Sequence, residues 1–199
     1  PLQGWLDNLV ECLKCHRDAG IVGCKLMYAD DTIQHCGASM KHDGTFFRHQ
    51  YKYLHTSHPL VNVERELDAV TAACFITPRK LFLELDMFDT RYSNGCEDMD
   101  YCSKVRRAGY RIFYTPSSVL YHLESQTPRP QNKDKENFAL YLSKWGAGFM
   151  KNEIEIYAED GFWSEENGNF RTSSNQYISE FTSTLKNAIS SQDTTNIIR

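Results

Sequence analysis

The segment that most restricts the fold is Ile21-Val22-Gly23-Cys24-Lys25-Leu26-Met27. It is short, almost wholly apolar and β-branched at its start, which is the pattern of a buried strand. Such a strand belongs to a layered α/β domain, and the flanking chain alternates accordingly. Trp5, Leu6, Leu9, Val10 and Leu13 recur at helical spacing, predicting a helix over about 4–17 that stops near Gly20. Asp30-Asp31 makes a turn, and Thr32–Met40 returns as a second strand. Residues 41–66 are rich in His, Tyr and Lys with weak periodicity and read as a long surface excursion with one short helix.

Further along, Leu67–Thr77 is strand-like, and Pro78 fits the opening of a helix at Arg79-Lys80-Leu81-Phe82. An acidic helix over about 96–108 ends at Gly109, with Arg106 and Arg107 suited to its last turn. Tyr110–Tyr114 and Val119–Tyr121 read as two short strands separated by Pro116. A proline-bearing loop over 123–135 precedes a helix over 137–149. From 151 onward the chain turns polar. The expected organisation is one mixed-sheet domain over 1–150, then a polar extension over 151–199, loosely ordered or partly helical near 177–189.

Composition narrows the function classes. Apolar residues at 41% and charged residues at 24% fit a chain with a packed core. A formal charge of −4 and a pI near 6.0 exclude a general nucleic-acid binder. No apolar run approaches the roughly 18 residues needed to span a bilayer. Seven cysteines scattered through core-like segments predict reduced, buried thiols and a cytoplasmic setting. Cys12-Leu13-Lys14-Cys15-His16 has the C-x-x-C-H spacing of haem attachment. It lies, however, in an amphipathic helix whose apolar positions are already in use. No second Cys pair completes a four-cysteine zinc site.

The chemistry-bearing stretch is Gly95-Cys96-Glu97-Asp98-Met99-Asp100-Tyr101-Cys102, where three carboxylates open a helix after an Asn94-Gly95 break. On a helical wheel Asp98 shares its face with Cys102 and Val105, so it points toward the interior or a cleft. Glu97 and Asp100 are expected to face outward or to meet loops, with Asp100 paired to Lys104 on the surface. The helix N-terminus favours ionised Asp98, while burial and Glu97 next door raise its proton affinity. A carboxylate balanced in that way suits a general base. Acids in a first helical turn also complement the helix dipole without any catalytic role. His122 ends a strand-like run, a placement more often structural than ligating.

Several segments together resemble the family 2 glycosyltransferases of the GT-A fold, closest to a rhamnosyltransferase-like bacterial branch that builds surface polysaccharides. They are Ile21–Tyr28, Gln34-His35-Cys36-Gly37, Ala69–Ile76, Phe88-Asp89, Glu97-Asp98-Met99-Asp100, Arg106–Ile112 and Tyr121-His122, in order over about 3–150. The resemblance implies inverting transfer of a sugar from a nucleotide-sugar donor to a hydroxyl of a glycan or lipid-linked acceptor. It implies a GT-A-like mixed sheet flanked by helices, with Asp98 as the base beside Glu97 and His122 as a ligand to Mg²⁺ or Mn²⁺. Thr71, Ala72 and Ala73 would line the floor under acceptor and donor sugar. Asp100 and Arg129 would add substrate contacts, with Lys133 a further positive charge near the donor diphosphate. The other class consistent with the segments is a non-catalytic carbohydrate-binding or assembly module derived from the same fold.

The resemblance has one departure. Pro1-Leu2-Gln3-Gly4-Trp5-Leu6 resembles the segment just after the family's Asp-x-Asp motif, and no such motif precedes it. The expectation is therefore a C-terminal portion truncated at its N-terminus and inactive alone. Its exposed sheet edge would be covered by a partner or second copy, and it would attach peripherally at the inner face of a membrane.

Overall fold

The computed structural model describes residues 1–123, 133–164 and 170–172. Helix α1 (Trp5–Cys15) leads into β1 (Ala19–Met27), β2 (Ile33–His35), β3 (Ala38–Met40) and β4 (Phe47–His49). β5 (Arg65–Leu67), β6 (Phe75–Ile76), α2 (Arg79–Glu84) and α3 (Glu97–Arg107) follow. The chain continues through β7 (Arg111–Tyr121), α4 (Lys133–Trp145), α5 (Glu153–Glu159) and a hairpin of β8 (Phe162–Ser164) with β9 (Phe170–Thr172).

The apolar run forms β1, and all nine of its residues are buried. It is the middle of a mixed sheet ordered β2-β1-β7-β5. β7 runs parallel along one edge of β1, so antiparallel β2 and β6 share the other. Alternation then sorts the side chains. Ile21, Ile112 and Tyr114 meet Met99, Cys102 and Val105 of α3 and Phe138 and Tyr141 of α4 in one core. Val22, Cys24, Leu26 and Phe113 meet Leu9 and Cys12 of α1 in the other. The expected mixed sheet with helices on both faces is present.

Close packing explains two glycines. A Cβ on Gly23 would lie 2.7 Å from Val70 Cβ, so only glycine lets the chain before β6 lie flat on β1. Gly37, at φ +136°, breaks the expected 32–40 strand into β2 and β3, and β3 leaves to pair with β4.

Three local expectations are corrected and one is refined. The two strands around Pro116 are one strand with a bulge: pairing jumps from Cys24–Thr115 to Lys25–Val119, leaving Pro116, Ser117 and Ser118 out of register. The first turn of α1 holds that bulge, with Ser118 Oγ donating to the Trp5 carbonyl at 2.7 Å.

Residues 41–66 lie mostly at the surface, as expected, with one short helix at Pro59–Val61, but the segment is also tied into the core. They supply β4 and most of β5, and bury Tyr51, Leu54 and Val61. Their polar pattern conceals this because Tyr51 satisfies its hydroxyl on Asp160 while its ring packs on Tyr157. The 67–77 stretch is not a continuous strand. β5 ends at Leu67, Ala69 and Val70 pack into the core, and 71–74 turn before β6.

Where polarity suggests a loose arm after 150, α5 docks on the domain through buried Ile156 and Tyr157. Its Asn152 capping box satisfies the first-turn amides. The helix expected at 177–189 lies outside the described residues.

Candidate active site

α3 begins after three residues of positive φ: Asn94 at 53°, Gly95 at 156° and Cys96 at 67°. This turn swings the acidic run onto the helix end. Glu97 accepts the Gly95 N–H and so caps its own turn. Asp98, half-buried, accepts the Ala72 N–H through Oδ2 at 3.1 Å and the Met99 N–H through Oδ1 at 2.9 Å. Its carboxyl is raised above the ordinary carboxylate range, by burial first and by the charge of Glu97 second. The Ala72 and Met99 amides and the Thr71 side chain oppose that rise without cancelling it. The result is a carboxylate of increased basicity, held in place by the 71–72 turn.

A second side chain, overlooked in the sequence, supports that turn. The Thr71 N–H donates to His35 Nε2 at 3.2 Å. His35 Nε2 is therefore an acceptor, the neutral ring carries its proton on Nδ1, and that proton points at His49 Nδ1, 2.7 Å away. Burial, with His49 and His122 beside it, holds the His35 pKa well below 6.5, consistent with the neutral form. Nothing in the sequence links His35 to His49. They meet because β2 pairs with β1, and Gly37 redirects the chain into the β3–β4 hairpin. The segment Gln34–Gly37 carries the family resemblance, and that was the only signal available.

The structure brings together Asp98, Thr71, Ala72 and, at the exposed rim, Ala73, whose N–H is bonded to Thr71 Oγ1 at 3.3 Å. His122 sits just beyond the C-terminal end of β7, its N–H on the Met27 carbonyl, and it lies near His35. Its Nδ1 is buried without a hydrogen-bond partner. Arg129 lies outside the described residues.

Asp100 does not face outward as a surface partner of Lys104. Its side chain is fully buried, accepting from Trp145 Nε1 at 2.7 Å and from the Tyr92 hydroxyl at 3.2 Å, with Lys144 Nζ at 2.5 Å. Lys104 stands 3.8 Å away and gives its protons to the Leu85 and Met87 carbonyls. The wheel places Asp100 on the α4 side, and only the presence of α4 makes that side interior. Two clefts of about 480 Å³ and 560 Å³ lie around Asp68 and Arg106 and contain none of the candidate site residues.

The orphaned Nδ1 suits His122 to ligation, but its surroundings do not complete a divalent site. Among the described residues, one group of three His, Cys, Asp or Glu side chains gathers its ligand atoms within 4.8 Å of one another, and it is Cys12, His16 and Glu64. A Mg²⁺ or Mn²⁺ at His122 would need oxygen ligands that the described residues do not bring there.

Comparison with known proteins agrees with this architecture. No family model matches the chain. It is 34% identical over 137 residues to the uncharacterised protein y4gI of Sinorhizobium fredii, covering 61% of this chain and 14% of that protein. It is 33% identical over 130 residues to the O-antigen biosynthesis protein RfbC of Myxococcus xanthus, covering 63% and 10%. The chain thus spans a small fraction of either relative's length. The crystal structure of GalNAc-T7 with UDP, GalNAc and Mn²⁺ superposes with a TM-score of 0.53 at 14% identity, over 93% of this chain and 39% of that one. The chain has a GT-A-like mixed α/β fold.

Proposed function

We propose that this chain carries the base and acceptor side of an inverting glycosyltransferase that moves a hexosyl or rhamnosyl group from a nucleotide sugar to a hydroxyl of a glycan or lipid-linked acceptor. The observation that carries the reading is the Asp98 carboxylate, raised in basicity and fixed by the Ala72 amide at the mouth of the sheet. The relationship to an O-antigen biosynthesis protein supports cell-surface polysaccharide as the product class.

In this reading Asp98 takes the proton of the acceptor hydroxyl as its oxygen attacks the anomeric carbon, while the bond from that carbon to the nucleotide's phosphate oxygen breaks and the nucleotide leaves with the electron pair. Glu97 keeps the proton affinity of Asp98 high. Thr71, Ala72 and Ala73 form the floor beneath the sugars, and His35 and His49 brace that floor from behind. Asp100 contributes by fixing α3 against α4. Among the described residues His122 is the one candidate metal ligand on this side of the sheet, too few to hold a divalent ion. Cytoplasmic residence at the inner face of the membrane remains part of this proposal. Among the described residues no helix is long and apolar enough to cross a bilayer.

The test is a screen of sugar nucleotides with the whole protein, followed by Asp98→Asn in that protein. Transfer should fall by roughly 10²–10⁴-fold, the usual contribution of a general base, with donor affinity unchanged. Undiminished turnover in Asp98→Asn removes Asp98 as the base. Glycan binding without transfer from any donor would establish a binding module instead.

A further inference from the structure

The C-x-x-C-H stretch takes no part in the transfer reading, yet the fold completes it in an unforeseen way. Cys12 lies on the last turn of α1, and His16 follows at its C-terminus. Glu64 comes from the loop before β5, 48 residues from His16. It places Oε1 2.9 Å from His16 Nε2. The Cys12 thiol lies beside the same carboxylate. Sulfur, imidazole nitrogen and carboxylate oxygen all lie within 4.8 Å of one another.

We infer that Cys12, His16 and Glu64 form a zinc site on the α1 face of the sheet, with solvent as the fourth ligand. Thiolate, imidazole and carboxylate are zinc donors, and three of them define a site that keeps one open position. Zinc bonds of about 2.0–2.3 Å place tetrahedral ligand atoms about 3.3–3.8 Å apart, so seating an ion needs the His16–Glu64 pair, at 2.9 Å, to part slightly while side-chain rotations bring the rest of the cluster to those spacings.

The surroundings resemble those of a held ligand set. The His16 ring stacks on Phe113 with centroids 3.8 Å apart, which fixes its plane. Cys12 is buried, whereas the side chains of His16 and Glu64 are 29% and 42% exposed, giving the ion a route in. Without a cation, burial and the Glu64 carboxylate push the Cys12 thiol up to about 12. A bound dication would reverse that balance and release the proton to solvent. The ion would join the end of α1 to the loop before β5, on the opposite side of the sheet from α3 and Asp98. The site therefore stands or falls independently of the transferase reading. The geometry disfavours haem, because Cys12 faces the packed sheet while Cys15 is exposed.

The test uses the chain with Cys15→Ser, which removes an exposed thiol able to bind metal adventitiously. After dialysis against chelator, Co²⁺ should give visible bands of tetrahedral cobalt and a near-ultraviolet thiolate-to-cobalt band, saturating at one equivalent. Zn²⁺ should displace it and raise the melting temperature. His16→Gln and Glu64→Gln each lie at the accessible rim and should weaken binding by roughly tenfold or more, as removing even an outer-sphere partner does. Cys12→Ser should abolish the charge-transfer band. Absence of that band at millimolar cobalt would overturn the assignment. So would His16→Gln and Glu64→Gln variants that retain native circular dichroism and bind cobalt as tightly as their parent.

Discussion

The Ala72 N–H donates to Asp98 Oδ2 at 3.1 Å, joining the head of α3 to the turn that enters β6. One residue earlier, the Thr71 N–H is held by His35. The position of the carboxylate therefore depends on β2 and on the β3–β4 hairpin as much as on its own helix.

Asp98 is expected to trade stability for basicity. Its folded-state pKa is raised, so between the ordinary value of 3.8 and the folded value the native state binds more protons than the unfolded chain. Stability from this group falls as pH rises through that window, and the cost is complete above it. Asp98→Asn should therefore melt higher than wild type near neutral pH, with the gap closing in acid. Thermal melts over a pH series check it, and a variant less stable at neutral pH contradicts it.

His35 acts with the opposite sign. Its pKa is lowered well below 6.5, so below that value the unfolded chain takes up a proton that the folded chain refuses. Stability from His35 is full above pH 6.5 and declines as the pH falls toward the folded value. Replacing His35 with Leu leaves the Thr71 amide and His49 without this partner, at about 1–3 kcal/mol. It should also flatten the slope of stability against pH just below 6.5. Urea midpoints at several pH values report both effects.

Gly23→Ala tests the support of the site from beneath. The added methyl would sit 2.7 Å from Val70 Cβ, between β1 and the residue that precedes Thr71. Overpacking of this kind costs about 1–3 kcal/mol. Because the relief lies toward the 71–72 turn, transfer by the whole protein should decline even at temperatures where circular dichroism remains native.

Asp100 separates structural from chemical carboxylates. Lys144→Met leaves its buried charge short of its nearest cation, and breaking a buried pair costs about 3–5 kcal/mol. Trp145→Phe removes one hydrogen bond to the same oxygen, at about 1.5–3 kcal/mol. Denaturant unfolding should show both losses, while the KM for acceptor at permissive temperature should stay unchanged. A KM effect from Lys144→Met would restore Asp100 to substrate binding.

The sequence alone was sufficient for features governed by near neighbours along the chain. The almost wholly apolar run of β1, interrupted only by Lys25, required burial on both faces. The spacing of Trp5, Leu9 and Leu13 required a helix, and the wheel through Cys102 and Val105 turned Asp98 inward. These follow from the 2.0 and 3.6 residue repeats, which each segment carries within itself. Packing between distant segments decided the rest. Asp100 is interior because α4 covers it, and the 41–66 segment is anchored to the core because Tyr51 finds Asp160 and Tyr157 from the other end of the domain. Pro116 makes a bulge instead of ending a strand because α1 satisfies the displaced backbone. His35 meets His49, and Glu64 meets Cys12 and His16, through strand pairings that no local repeat encodes. Periodicity records which face of an element is apolar, but the partner that comes to that face is set only when the whole chain excludes water together.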